Sequence, residues 1–543
     1  MNEIDSIELI RQAKIGTIVP VIKKLRKSYG PVDYFAKLSD YGSKKNSILL
    51  ESAEVIPKYG EQSIGSSDPC INLKGKGKDF EITALNELGK KFIKSLEGKF
   101  DFCDSIHYKK EKISGTLLPK REFVSEEKRL KLPTHMDIIR AVAFHFQPTI
   151  KPFPPYAGLF GAISYDFIDQ FEDLPKNKKD ILDDPDYEFN YLDNLFLMNH
   201  KTNETFIIAN ALIAEEENRE EIHEKCIEKI SFYEELLTEF PEDPKRFPPI
   251  KGKIQSDTSK KEFIEIIEKI KEHISKGDVF QTVVSRTISA DFNSEPLEIY
   301  RELRKLNPSP YMFYFNNSNN VLLGASPEMY ISVSGNAKEK TVQIRPIAGT
   351  KPRGKINGKI DLELDSRYET ELKLCEKELA EHTMLVDLAR NDVAKISIPE
   401  TRHVIEPFSV EKFSHVQHLV SNVSGKLRPE LDALHAYLAC MNMGTLTGAP
   451  KVKAMELIRK YEKNARGFYG GSILYITPSK DLLSAIVIRA IELKEGKAFV
   501  RTGAGIINSS NPEQEFFETE KKAKACIEAI KKAGGVLFEN SIH

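Results

Sequence analysis

An α+β fold is predicted for this 543-residue chain by three observations. Strand-like runs of β-branched and aromatic residues come in blocks. Helical patterns lie between those blocks, without the strict one-for-one alternation of a parallel sheet. A proline-rich stretch over 241–255 separates a strand-bearing first part from a second part with its own strands and helices.

In the first part, 47–51, 158–165, 191–198 and 205–208 read as strands between lysine-rich polar segments. Residues 211–240 read as a long acidic amphipathic helix, with Ile213, Ile222, Cys226, Ile230 and Leu236 near one face. The stretch 241–255 holds four prolines among alternating charges and reads as a connector. No internal repeat stands out. The second part opens on caps at Ser256–Ser259, followed by Phe263, Ile266, Ile267, Ile270 and Ile274 at helical spacing, with Gly277-Asp278 as the stop. Strands are then expected over 279–289, 311–315, 321–323, 329–333 and 341–344. Helices follow over 371–389 and 429–441, strands over 472–476, 484–493 and 497–507, and a last helix over 512–532. The length suggests two to four domains. The division adopted is 1–250 and 256–530.

Composition excludes several classes. Hydrophobic residues make up 40% and charged residues 29%, as in soluble globular proteins. A net charge of −2 gives no reason to expect a nucleic-acid or anionic-membrane partner. The N-terminus lacks the apolar core of a signal peptide, and no run reaches the length of a membrane span, so a cytoplasmic protein is expected. The six cysteines, at 70, 103, 226, 375, 440 and 526, form no CxxC pair and are expected to be reduced thiols. There is no tryptophan.

Two predicted helices carry glutamates three residues apart, Glu378 with Glu381 and Glu515 with Glu518. At that spacing two carboxylates project from nearly one face and repel unless a cation joins them. Mg²⁺, which takes oxygen ligands, suits such a set. The same spacing also serves ordinary helix pairing, because Lys522 stands four residues after Glu518.

Five further segments narrow the reading: Gly324-Ala-Ser-Pro-Glu328, Arg345-Pro-Ile-Ala-Gly-Thr350, Glu381-His-Thr-Met-Leu-Val-Asp-Leu-Ala-Arg-Asn-Asp392, Gly444-Thr-Leu-Thr-Gly-Ala-Pro-Lys451 and Arg501-Thr-Gly-Ala-Gly505. Each is short, but in this order they closely resemble the signatures of chorismate-utilising enzymes. The nearest family is the large subunit of anthranilate synthase, component I. The resemblance is strong over about 256–530 and weaker at Leu49-Leu-Glu-Ser52 and at 161–166. It implies a large α+β assembly of two orthogonally packed antiparallel sheets with outer helices.

The resemblance also implies roles. Glu381 and Glu518, with Glu378 and Glu515 beside them, would hold Mg²⁺ against the ring carboxylate of chorismate. Arg489 would grip the enolpyruvyl carboxylate, for which its planar fork is suited. Gly503 and Gly505 would bring backbone N–H groups close, and Tyr469 and Thr445 match further substrate contacts. Glu328 matches the general acid that protonates the departing C4 hydroxyl, so its pKa must be held apart from those of the metal ligands. His418 matches a histidine implicated in catalysis, and Thr350 and Ala348 the floor of the site.

Relatives that use water carry a lysine where this chain has Gln281, and aminodeoxychorismate synthases carry one where it has Ala348. An amide is no general base, and ammonia needs none. The implied reaction is amination at C2, then pyruvate elimination to anthranilate, a carbon–oxygen lyase step committing chorismate to tryptophan biosynthesis. Alternatives are a 2-amino-2-deoxyisochorismate synthase or other chorismate-utilising enzyme, and a non-catalytic tryptophan-binding regulatory homologue. The sequence contains no amidotransferase nucleophile pattern, so a separate glutamine amidotransferase subunit (component II) is expected to supply ammonia. Glu51 and Ser52, together with Asn307, Pro310, Tyr311 and Met312, resemble the family's tryptophan feedback pocket.

Overall fold

The structure, a computed structural model, describes residues 6–25, 29–53, 61–119, 132–237, 247–248, 250–534 and 536–538. Two 13-stranded sheets, antiparallel in all but one pairing, dominate it, with helices packed outside. No helix among the described residues is long and apolar enough to cross a membrane.

Each sheet draws strands from both sides of the 241–255 connector. At the centre of the first, Ser47–Glu51 pairs with Tyr311–Asn316. At the centre of the second, Gly158–Ile163 pairs with Ser472–Ile476. Outward from these centres the strand order is mirrored, and the reason is a duplication. The succession that begins with helix Ser6–Gln12, strand Thr17–Lys24 and helix Pro31–Leu38 is repeated by helix Lys260–Ser275, strand Gln281–Asp291 and helix Pro296–Leu306. It closes in one copy with strands Asn194–Asn199 and Glu204–Ile213 and helix Arg219–Leu236. In the other it closes with Ala490–Lys494, Lys497–Ile506 and helix Pro512–Lys532. No repeat shows in the sequence because the copies share topology rather than local sequence.

In each copy the chain twice steps directly from one sheet to the other. The steps are residues 67–70 and 193 in the first copy, and 327–328 and 487–489 in the second. Neighbouring strands flank each pair of steps, so each pair forms one seam.

Local chemistry explains where elements begin and end. Ser259 caps the helix Lys260–Ser275 in a capping box: its Oγ accepts from Glu262 N at 3.3 Å, and Glu262 Oε2 accepts from Ser259 N at 2.8 Å. Pro512 stands at the start of the helix Pro512–Lys532, and the Asn511 side chain accepts from Gln514 N at 3.1 Å.

Several expected boundaries move. Residues 211–213 end the strand Glu204–Ile213, locked in register to Thr17–Lys24, and the helix begins only where Asn218 caps Glu220 N at 3.0 Å. The 371–389 helix is two helices, Leu362–Leu374 and Glu376–Ile396, parted by an extended Cys375 (ψ 107°). The 429–441 helix shortens to Ala433–Cys440 behind the Asp432 cap. The 484–493 strand is two strands in different sheets, Leu482–Ile486 and Ala490–Lys494. The connector lies partly outside the described residues, and its end forms short strands Ile250–Gly252 and Ile254–Ser256. A long hairpin over His403–Lys412 and Val416–Lys426 was not foreseen.

Candidate active site

The seam of the second copy gathers most of the residues singled out from sequence. Glu328 occupies the step at 327–328, where Ile486 N donates to its carbonyl at 3.0 Å. Its side chain is buried and Oε1 has no hydrogen-bond partner. Burial pushes its carboxyl up to about 8; Thr445, the Ile347 backbone and Lys522 pull the other way but are outweighed. Thr445 Oγ1, close to it, is also buried without a hydrogen bond.

Arg489 occupies the step at 487–489. Its φ of +52° is left-handed, a region that costs a non-glycine residue roughly 1–2 kcal/mol. The guanidinium makes no hydrogen bond or ion pair among the described residues. Burial pushes it down, while Cys526, Tyr469 and Glu518 support its charge. A structural arginine at this depth would be expected to have an acid as partner; this one is left facing the site.

His418 lies on Val416–Lys426, opposite Thr350 of the strand Ile347–Pro352. Its Nδ1 stands 2.9 Å from the Gly349 carbonyl and 3.1 Å from Thr350 Oγ1. A carbonyl can only accept, so Nδ1 carries the proton and Nε2 keeps its lone pair. Burial pushes the ring down to about 4, which keeps it neutral. Gly349 has φ +64°, and a side chain there would meet Glu378 Oε2 at 2.9 Å, which places that carboxylate beside the strand that pairs with the histidine's own.

The two glutamate-bearing helices face each other. Lys377 reaches Glu515 at 3.6 Å and Glu381 at 3.9 Å, and feels Glu518 and Glu378 as well. Burial, with the other three glutamates adding to it against Lys377, raises Glu381 to about 7. Glu518 is held below the usual carboxylate range despite its burial, because Lys522 lies 2.6 Å away. Among the described residues no three His, Cys, Asp or Glu side chains stand together as a metal group; the Lys377 ammonium lies against two of the four carboxylates, those of Glu381 and Glu515. No motif in the sequence marks Lys377, and the spacing of Lys522 from Glu518 marks it only as a helix partner. Lys522 also donates to the Gly503 carbonyl at 3.2 Å and acts on Glu328.

Gly503 and Gly505 lie on the strand Lys497–Ile506. A side chain at Gly503 would come within 3.0 Å of the Tyr469 hydroxyl, and one at Gly505 within 2.6 Å of Gln281 Nε2. Gln281 is buried at the start of its strand, with Oε1 unpartnered. Glu328, Arg489, His418, Thr350, Tyr469, Thr445, the two glycines and the glutamates thus share one region. The residues that resemble a feedback pocket do not; they lie between the copies. Glu51 stands opposite Met312, and its carboxylate accepts from Tyr300 at 2.7 Å and Arg304 at 2.8 Å. Ser52 Oγ donates to the Pro310 carbonyl at 3.0 Å. Tyr311 begins the strand that Glu51 meets, and Asn307 ends the helix Pro296–Leu306.

Residues 103–528 match the family of chorismate binding enzymes. The chain is 40% identical to anthranilate synthase component 1 from Buchnera aphidicola of Acyrthosiphon pisum, over 94% of this chain and 96% of the relative. It is 36% identical to the Haemophilus influenzae protein of the same name, over 92% and 96%. Among solved structures, anthranilate synthase component I from Streptococcus pneumoniae aligns with a TM-score of 0.68 at 29% identity, covering 87% of this chain and 93% of that one. The menaquinone-specific isochorismate synthase of Escherichia coli shares the fold, with a TM-score of 0.60 at 15% identity over 97% and 99%.

Proposed function

The chain belongs to the chorismate-binding enzymes, within the anthranilate synthase component 1 family, and on that premise we propose that it aminates chorismate at C2 with ammonia and then eliminates pyruvate to release anthranilate. The observation that carries this reading is Glu328: a buried carboxyl, raised to about 8, with one oxygen unpaired at the seam that also holds the unpaired Arg489. At neutral pH it keeps its proton, the state a general acid needs.

Arg489 takes the enolpyruvyl carboxylate, with the Tyr469 hydroxyl and the main chain at Gly503 alongside. Ammonia bonds to C2 as the C4–O bond breaks and the ring double bonds shift; Glu328 gives its proton to the departing hydroxyl. His418, whose Nε2 is free and whose ring is neutral, then accepts the C2 proton as the C3–O bond breaks; the group leaves as the enolate of pyruvate and takes up a proton at its methylene carbon to become pyruvate. Glu378, Glu381, Glu515 and Glu518 offer only carboxylate oxygens, the donors Mg²⁺ takes, and they would hold it once Lys377 gives way. A bound Mg²⁺ would neutralise and fix the ring carboxylate. Ammonia is supplied by a glutamine amidotransferase subunit, and tryptophan inhibits from the pocket around Glu51, Ser52 and Pro310. The reading places the enzyme in the cytoplasm, where its six unpaired thiols stay reduced.

The test is to give the purified chain chorismate, MgCl₂ and ammonium and to follow anthranilate fluorescence with pyruvate. Equal yields, abolished by EDTA, are expected. Amination without pyruvate would replace this reading with aminodeoxyisochorismate synthesis, and no conversion by a folded chain would leave a tryptophan-binding homologue. Ser52→Phe is expected to keep activity and lose tryptophan inhibition; inhibition that survives unchanged would remove the pocket.

A further inference from the structure

The most heavily bonded carboxylate near the site is not among those assigned to metal or acid chemistry. Glu462 follows the helix Lys451–Tyr461 and is 5% exposed. Its Oε1 accepts from Ser285 N and Ser285 Oγ, both at 2.8 Å, and from Arg466 Nη2 at 2.6 Å. Its Oε2 accepts from Arg466 Nε at 3.0 Å and Arg501 Nη2 at 2.6 Å. Both guanidiniums continue to main-chain carbonyls. Arg466 donates to Leu446 at 2.6 Å and Val283 at 2.8 Å; Arg501 donates to Asn464 at 3.0 Å and to Ala465.

Those carbonyls belong to the segments that carry the substrate contacts. Leu446 adjoins Thr445, Asn464 and Ala465 lead into the turn holding Tyr469, and Arg501 stands two residues before Gly503. The ring of Tyr469 lies 5.8 Å from one guanidinium and 6.0 Å from the other. Arg466 and Arg501 share this single carboxylate, so these three side chains by themselves carry one positive charge in excess; the neighbouring acids Glu492 and Asp184 are joined to each other through Asn320 rather than to either guanidinium. A desolvated charge of this kind calls for an anion nearby, and the substrate brings two carboxylates.

We propose that Glu462, Arg466 and Arg501 are positioning residues: they hold Tyr469, Thr445 and Gly503 in register for the substrate's enolpyruvyl carboxylate and set two guanidiniums behind them. This rests on chorismate being the substrate. Lysine in place of either arginine keeps the charge and loses the two-pronged grip.

The experiment compares wild type with Arg466→Lys, Arg501→Lys and Glu462→Gln, reading melting temperature, kcat and the chorismate KM at saturating Mg²⁺. The lysine variants are expected to fold, with KM raised about tenfold and kcat within about twofold, because contacts to a non-reacting carboxylate act alike in ground and transition states. Glu462→Gln strands two buried cations and is expected to lower the melting temperature as well. Folded lysine variants with the wild-type KM and a lower melting temperature would make the cluster purely structural and overturn the proposal. A wild-type chain that leaves chorismate untouched would instead remove the substrate reading beneath it.

Discussion

The two seams are built alike and finished differently. In each copy a proline and one further residue precede the strand that enters the second sheet: Pro69-Cys70 before Ile71, and Pro327-Glu328 before Met329. In each, one residue precedes the strand returning to the first sheet: Asp193 before Asn194, and Arg489 before Ala490. The first seam is tied by side-chain bonds, although Asp193 Oδ1 is left without a partner. Asn194 donates to the Asp68 carbonyl at 2.7 Å and to Asp193 at 3.1 Å, and the helix Arg219–Leu236 brings Tyr233 onto Asn194 and Lys229 onto Asp68. The Cys70 thiol turns to the Tyr191 carbonyl at 3.6 Å. In the second seam the equivalent positions hold an acid with a free oxygen and a guanidinium with no partner. A buried polar group left unmade costs roughly 1–3 kcal/mol. The first seam bears that cost at Asp193 Oδ1; the second bears it at Glu328 Oε1, at Thr445 Oγ1 and at the Arg489 guanidinium, the set that a ligand could offset.

The comparison breaks most sharply at Glu328. Glu328→Gln is expected to lower kcat by about 10²–10⁴-fold, whereas Cys70→Ala, at the matching position, should leave turnover intact; equal losses would erase the distinction between the seams. Next comes Arg489→Ala, expected to cost on the order of 10²–10³ in kcat/KM by removing a charge-assisted fork, with melting temperature unchanged because no protein partner is lost. A fall in stability with normal kinetics would make it a structural arginine.

The first seam yields a prediction about stability. Burial raises Asp193 to about 6, and Asn194 and Lys229 only partly oppose it. An acid raised on folding binds its proton more tightly in the native state, so its ionisation opposes folding as pH climbs from about 4 to 6. Asp193→Asn is therefore expected to stabilise the chain by up to about 3 kcal/mol above pH 6 and by little at pH 4 in urea unfolding. A gain independent of pH would mean that burial of this carboxylate is not the cause. The mildest effect concerns pH and rate. Glu328 loses its proton above about 8, so kcat/KM should fall roughly fivefold between pH 8 and 9 and about tenfold per pH unit beyond that. His418, already neutral above about 4, adds no rising limb at neutral pH. A flat profile would remove Glu328 as the acid.

What the sequence made legible follows from how local the cause is. The helix Pro512–Lys532 was legible in full, because an asparagine cap, a proline at its start and periodic apolar residues lie within it. The glutamate pairs were legible as pairs. That their helices meet was legible only through the family resemblance, which puts all four on one metal, since the Lys377–Glu515 contact joins residues far apart in the chain. The hairpin carrying His418 escaped because polar residues interrupt its β-branched run, although Val416, Val420 and Val423 were a usable signal. Nothing in Ile-Val-Ile-Arg announces a left-handed arginine; its conformation is imposed by two sheets that must be joined in three residues. The duplication stayed hidden for the same reason, since pairing order, not sequence, is what repeats.

The shared sheets also bear on biosynthesis. When Ser47–Glu51 leaves the ribosome, its partner Tyr311–Asn316 is still about 260 residues away, a delay of roughly 13 to 50 s at ordinary elongation rates. Gly158–Ile163 waits longer still for Ser472–Ile476. Throughout that interval the nascent first copy presents an unpaired edge from each sheet, the surface on which chains aggregate. The yield of active enzyme is thus set by the pace of translation and by chaperone cover during that window, and synonymous changes that slow the ribosome between the two copies should lower it without altering the melting temperature of the finished protein.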